Sequence, residues 1–201
     1  MLDRDLHEVS PLQLVVPSLD RLDAYADALR RGWSPDNIRL EEAPREELAR
    51  IAADPAAFVA SLDDREARGG PIPLPGGGSV PRLPGYRRWL WDDGADGGFC
   101  GSINFRWQPG TEALPDYCPG HIGYGVPAWK RGRGHATRGL ALLLPEVRAE
   151  GLRWVDLTAD LDNLASHKVI LRNGGVAVKR VTKPSLHGDI AEAMLFRIAL
   201  A

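Results

Sequence analysis

The segment Gly123-Tyr124-Gly125-Val126-Pro127-Ala128-Trp129-Lys130-Arg131-Gly132-Arg133-Gly134-His135-Ala136-Thr137 reads as a strand, a glycine-rich basic turn and the start of a helix. Small residues at Gly132 and Gly134 let successive backbone N–H groups converge on one anion. A helix starting there adds its unsatisfied amides and the positive end of its dipole. Lys130, Arg131 and Arg133 bring charge to the same place, so the turn is suited to a pyrophosphate. Downstream, Ala136, Leu140, Leu143, Leu144 and Val147 fall at i, i+4, i+7, i+8 and i+11, one apolar helical face.

A second segment has a comparable design. Leu157-Thr158-Ala159-Asp160-Leu161-Asp162-Asn163-Leu164-Ala165-Ser166-His167-Lys168-Val169-Ile170-Leu171-Arg172-Asn173-Gly174-Gly175 reads as a strand running into a helix. Asp162 or Asn163 can cap that helix, Ala165, Val169 and Ile170 give it an inner face, and Gly174 stops it.

In that order and separation the two segments resemble motifs A and B of the GNAT acyltransferase family, and in particular its ribosomal-protein-modifying branch. Motif A, Arg/Gln-x-x-Gly-x-Gly/Ala, wraps the pyrophosphate of coenzyme A and is matched by Arg131, Gly134 and Ala136. An apolar residue five before the Arg, on a splayed strand, bonds the pantetheine through its backbone and is matched by Val126. The family's proline two residues beyond is displaced to Pro127, and Ala128 takes its place. Motif B is matched by Asn163, Ser166, Gly174 and Gly175, and the resemblance spans roughly residues 119–182.

The resemblance implies a single domain over residues 1–201 with a mixed α+β fold. A central, mostly antiparallel sheet is splayed between two parallel strands, with helices on both faces. It implies acetyl-CoA as cosubstrate, no metal, and coenzyme contacts from Val126, Ala128, Arg131, Gly132, Arg133, Gly134, His135, Ala136, Thr137, Asn163 and Ser166. The implied reaction is direct transfer of an acyl group, most simply acetyl, to the amine of a small molecule or peptide in a ternary complex.

Two other nucleotide sites compete for the same turn. Gly132-x-Gly134 followed by Asp156, at the end of the strand-like Trp154-Val155-Asp156-Leu157, approaches a dinucleotide-binding pattern. Thr137 stands at its third glycine position, however, and the segment lies past the middle of the chain. The Gly-x-x-x-x-Gly-Lys-Ser/Thr pattern of a P-loop is absent.

Acyl transfer needs a neutral amine, and an alkyl amine with a pKa near 10 is only about one part in a thousand neutral at pH 7. His121, heading the Ile122-Gly123-Tyr124 strand, is the first candidate base, at a position where the branch often carries Glu; Glu112 and Asp116 in the preceding loop are the reserves. The leaving thiolate needs a proton donor. Many family members use a Tyr seven residues after the motif B Asn, where this chain has Ile170, leaving Ser166 to donate or the thiolate to leave unassisted. Trp89, Trp91, Trp107, Tyr124 and Trp129 are aromatic surfaces near the expected acceptor channel, most of them expected in the core. A noncatalytic acyl-CoA-sensing module on the same fold is the alternative.

Residues 1–67 read as amphipathic helices over Ser18 to Arg31, with Leu19, Leu22, Tyr25, Ala26 and Leu29 inward, then Pro44 to Ala53 and Pro55 to Arg68. Gly69 to Gly85, dense in Gly and Pro, reads as a surface excursion bearing a hairpin, in which Ile72, Leu74, Val80 and Leu83 could pack. Strands are expected at 87–91, 99–107, 121–126, 154–158, 176–182 and 191–199, with Pro145 kinking or ending the helix after the basic turn. The 201 residues, 44% hydrophobic and 26% charged, suit one soluble domain. A net charge of −2 gives no global field for nucleic acid or an anionic membrane. Met1 to Asp5 lacks a signal-peptide pattern and no apolar run reaches membrane-span length, so a cytoplasmic monomer or homodimer is expected. Cys100 and Cys118 lack C-x-x-C spacing and read as free thiols.

Overall fold

The computed structural model describes residues 12–73, 77–94, 98–184 and 190–200; the expectations for Met1 to Asp5 and for Leu74 lie outside them. In chain order the N-terminal part contains β1 (Gln13–Val15), α1 (Leu22–Arg30), α2 (Glu42–Ala53), α3 (Pro55–Ala60), β2 (Asp63–Asp64), β3 (Ile72–Pro73) and β4 (Ser79–Val80). There follow β5 (Gly85–Asp92), β6 (Gly98–Arg106), β7 (Ile122–Gly125), α4 (His135–Ala149), β8 (Trp154–Asp160), α5 (Leu164–Arg172), β9 (Val176–Pro184) and β10 (Ile190–Ala199). One antiparallel sheet has the order β1-β5-β6-β7 with β2 also on β5, and a second has the order β8-β10-β9. The expected excursion carries its hairpin, β3 paired with β4, with Ile72 exposed and Val80 and Leu83 half-buried.

The two sheets meet where β7 and β8 begin. The His121 N–H donates to the Asp156 carbonyl at 2.7 Å, and the Asp156 N–H donates to His121 Nδ1 at 2.9 Å. A Cβ at Gly120 would lie 3.2 Å from the Asp156 oxygen, so glycine permits this close approach. Beyond that point, among the described residues, β7 pairs only with β6 and β8 only with β10. The two strands therefore splay.

A different core lies on each face of the first sheet. On one, α4 sends Leu140, Leu143 and Val147 onto Leu90, Ile103 and Val155, and Ile170 of α5 joins them. On the other, Leu22, Tyr25 and Leu29 of α1 pack with Phe58, Trp89 and Phe99. Tyr25 stacks on Trp89 at 4.8 Å between ring centres. Its hydroxyl donates to Glu47 of α2, and Arg87 of β5 donates to the Tyr25 oxygen at 2.6 Å and to Glu47 Oε1 at 3.0 Å. Burial pushes the Tyr25 phenol well up, so it remains a donor while the Glu47–Arg87 pair locks α1 and α2 to the sheet.

Three helical expectations are corrected. Leu19 is 56% exposed, because it opens a 3-10 turn, Leu19–Arg21, whose tighter repeat turns it off the inward face of α1. The helix from Pro55 stops at Ala60 and the chain becomes β2, paired with Tyr86 and Gly85. The Asp64 carboxylate accepts the Arg68 and Gly69 N–H groups at 2.8 and 3.0 Å, turning the chain there. Pro145 does not end α4, which runs to Ala149. Pro145 and Ala141 both lie on the exposed side, where the carbonyl deprived of its intrahelical partner meets water.

Removing one partner of a largely buried ion pair strands the other charge. Glu47→Ala is therefore expected to cost about 3–5 kcal/mol in urea unfolding. His121 yields a second expectation. Burial holds its pKa below the ordinary value, so its contribution is complete above the unfolded-state value of about 6.5 and is lost as pH falls through the lower folded value. The thermal midpoint should drop as pH falls below about 6.5, and the drop should be smaller in a folded His121→Asn variant.

Candidate active site

The splay between β7 and β8 opens a groove of about 630 Å³. Residues 122–126 form one wall and residues 157–160 with the inner side of α5 form the other. The basic turn closes one end. There Gly132 and Gly134 have φ of +77° and +76°, a left-handed conformation that glycine adopts without a side-chain penalty. Among the described residues, no atom lies within 4 Å of where a Cβ at either glycine would be. Gly134 caps α4 without a side-chain hydrogen bond, and the first turn of α4 holds no acidic residue. Its amides are thus oriented for an anion.

Neighbouring contacts hold this turn in place. Arg131 Nε donates to the Val126 carbonyl at 3.1 Å, tying the turn to the end of β7. Arg138 donates to the Arg133 carbonyl at 3.1 Å. Asn173 donates its side-chain amide to the carbonyls of Thr137 and Val169 at 3.1 and 2.8 Å, fixing the end of α5 against the start of α4. The α5 cap is Asn163, whose Oδ1 accepts the Ser166 N–H at 3.1 Å. His135 is buried, and that burial together with Arg138 lowers its pKa, leaving it neutral at pH 7.

Val126, Arg131, Gly132, Gly134, His135, Ala136, Thr137, Asn163 and Ser166 all line the groove, as the sequence leads one to expect, whereas Ala128 and Arg133 do not. The expected base is displaced. His121 has no exposed surface, its Nδ1 is occupied by the Asp156 N–H, and it is not part of the groove lining. Glu112 is paired with Arg153 at 2.5 Å, just before β8 and at the opposite end of that strand from the groove. Asp116 is exposed outside the groove. Of the five aromatic candidates only Tyr124 lines the groove. Trp89 is buried against Tyr25, Trp107 stacks on Phe105, Trp91 lies by Arg21, and Trp129 lies 3.9 Å beneath the Arg31 guanidinium.

Sequence reasoning missed four contributors. Lys168 and Arg172 of α5 join Lys130 and Arg131 in the lining; their i,i+4 spacing was the available signal. Asp160, at the end of β8, is the sole carboxylate among the described lining residues. Asn37 enters from the α1–α2 connection, which lies so close to β7 that a Cβ at Gly125 would be 3.4 Å from Trp33 Nε1. The groove is thus strongly cationic near the turn, with one carboxylate on the β8 wall, and suits a phosphorylated ligand whose uncharged portion passes between the strands. Among the described residues no cluster of three His, Cys, Asp or Glu could hold a metal, and no helix is long and apolar enough to cross a membrane. Both cysteines are free thiols.

No family model and no curated protein matches the sequence. Solved structures do match the fold. The Microcin C7 self-immunity acetyltransferase MccE, in complex with acetyl-CoA and AMP, aligns with TM-score 0.63 and 13% identity over 94% of this chain and 92% of its own. RimL, the ribosomal L7/L12 alpha-N-protein acetyltransferase, in complex with coenzyme A, aligns with TM-score 0.61 and 14% identity over 96% and 98%. The ribosomal-protein-S5-alanine acetyltransferase from Vibrio fischeri gives TM-score 0.55 and 15% identity over 94% and 91%. The two antiparallel half-sheets splayed at β7 and β8, with helices on both faces, are the GNAT acetyltransferase fold, and this chain adopts it.

Proposed function

We propose that the protein is an acyltransferase that moves an acetyl group from acetyl-CoA to the amine of a small molecule or peptide by direct attack in a ternary complex. The observation that carries this reading is the groove that begins at the glycine-shaped N-terminus of α4 and continues between strands that are not laced together. In it the Arg131–Thr137 turn holds the pyrophosphate, the backbone around Val126 meets the pantetheine, and Asn163 and Ser166 contact it from α5. Lys168 and Arg172 add positive charge on the far wall.

The thioester then lies between β7 and β8, where an amine can reach its carbonyl. Asp160 is positioned to attract the incoming ammonium and to receive its proton, directly or through water. The proton-transfer role fits a group in reach of the acceptor, whereas His121, Glu112 and Asp116 lie outside the groove lining. That same displacement of all three groups favours a second reading, a noncatalytic sensor of acyl-CoA. Turnover separates the two.

Coenzyme A at a hundred times its dissociation constant should stabilise the protein by about 2.7 kcal/mol in thermal unfolding, and acetyl-CoA should release free thiol with at least one member of a broad amine panel. Stabilisation without thiol release would favour the sensor; no stabilisation would remove both. Gly134→Val should weaken coenzyme binding more than Arg133→Ala, because the first forces a branched side chain into a left-handed position facing the phosphates. Arg133 lies outside the lining. A titration of the folded variants with equal or reversed losses would place the pyrophosphate elsewhere.

A further inference from the structure

We propose that the Tyr124 hydroxyl is the proton donor to the sulfur that leaves in acyl transfer, an assignment that rests on the acyltransferase reading above. As the amine nitrogen forms its C–N bond to the acyl carbon, the C–S bond breaks and its electron pair stays on sulfur. That sulfur takes the phenolic proton and leaves as the thiol. The ammonium gives its first proton to Asp160, which passes it to solvent, and the tyrosinate takes the second, which the nitrogen loses as the amide forms, so the products are amide and thiol with no co-reactant.

The position and chemistry of Tyr124 suit this step. The hydroxyl-bearing residues that line the groove are Tyr124, Thr137, Thr158 and Ser166. Thr137 lies in the first turn of α4, at the phosphate end. Tyr124 lies midway along β7 and crosses to the opposite wall, where its hydroxyl donates to the Ser166 carbonyl at 3.4 Å. That carbonyl already has a place in the α5 hydrogen-bond ladder, so the phenol makes a second and long bond to it, easily exchanged for one to sulfur. Burial raises the Tyr124 pKa above its ordinary value, keeping it a donor throughout the neutral range. Even with its pKa raised by burial, a phenol is closer in acidity to a thiol than an aliphatic hydroxyl is. The α5 position where the resemblance leads one to expect a phenol holds Ile170, which is buried in the core. The donor thus comes from the strand across the groove.

The test compares wild type with Tyr124→Phe, which retains the ring. The variant should keep its stabilisation by coenzyme A and a KM for acetyl-CoA within about twofold, while kcat falls roughly 10²–10⁴-fold. A readout independent of turnover is the ionisation of the thiol of bound coenzyme A, followed by ultraviolet difference absorbance. A donated hydrogen bond favours the thiolate, so ionisation should occur at lower pH in wild type than in the variant. Retained kcat with unchanged thiol ionisation overturns the assignment and leaves the acyltransferase reading standing. A raised KM with kcat retained shows a packing role and overturns it as well. Coenzyme A that stabilises neither protein overturns the reading and the assignment together.

Discussion

The site depends on one contact, the double hydrogen bond between His121 and Asp156 at the point where the half-sheets touch. An ordinary ladder would continue along β7 and β8 and leave no space between them. Here the imidazole accepts the amide that a backbone carbonyl would otherwise take, so the pairing is complete within one residue. Beyond it β8 is satisfied on its other edge by β10 and β7 by β6. The groove-facing edges remain available to a ligand. His121 can do this only when neutral, and its burial keeps it so. A buried, neutral histidine with an occupied Nδ1 is a structural element of the groove.

The remaining features are arranged around that gap. The Tyr25–Glu47–Arg87 cluster fixes α1 and α2 to β5, which brings the connection bearing Trp33 and Asn37 against the end of β7. The Asn173 side chain fixes the spacing of α4 and α5. The two glycines of the basic turn then present helix amides to the end of the gap without a side chain in the way. Rigid elements surround an open channel, as expected for a site that must hold a flexible ligand in one geometry.

Local chemistry was legible in the sequence and long-range placement was not. The strand–turn–helix around Gly132 and Gly134 and the Asn163 cap followed from residues adjacent in the chain, and both stand in the structure. The surroundings of His121 were not legible, because heading a strand says nothing about which neighbour its ring meets, and the partner, Asp156, is distant in sequence. Glu112 was drawn away by Arg153 in the same manner. The helix expected to reach Arg68 lost its last turns to β2 pairing with β5, a tertiary gain that periodicity does not encode. Tyr124 was one of five aromatic candidates for the channel, and only the splay shows that it and Asp160 line the groove.

The central claim is that the gap between β7 and β8, opening from the α4 turn, is the coenzyme site. Backbone amide hydrogen exchange with and without coenzyme A tests it residue by residue. Slowed exchange confined to the Gly132–Thr137 turn, the end of β7 and the first turn of α5 is the predicted result. Unchanged exchange in those three places while the ligand binds and protects some other surface would contradict it.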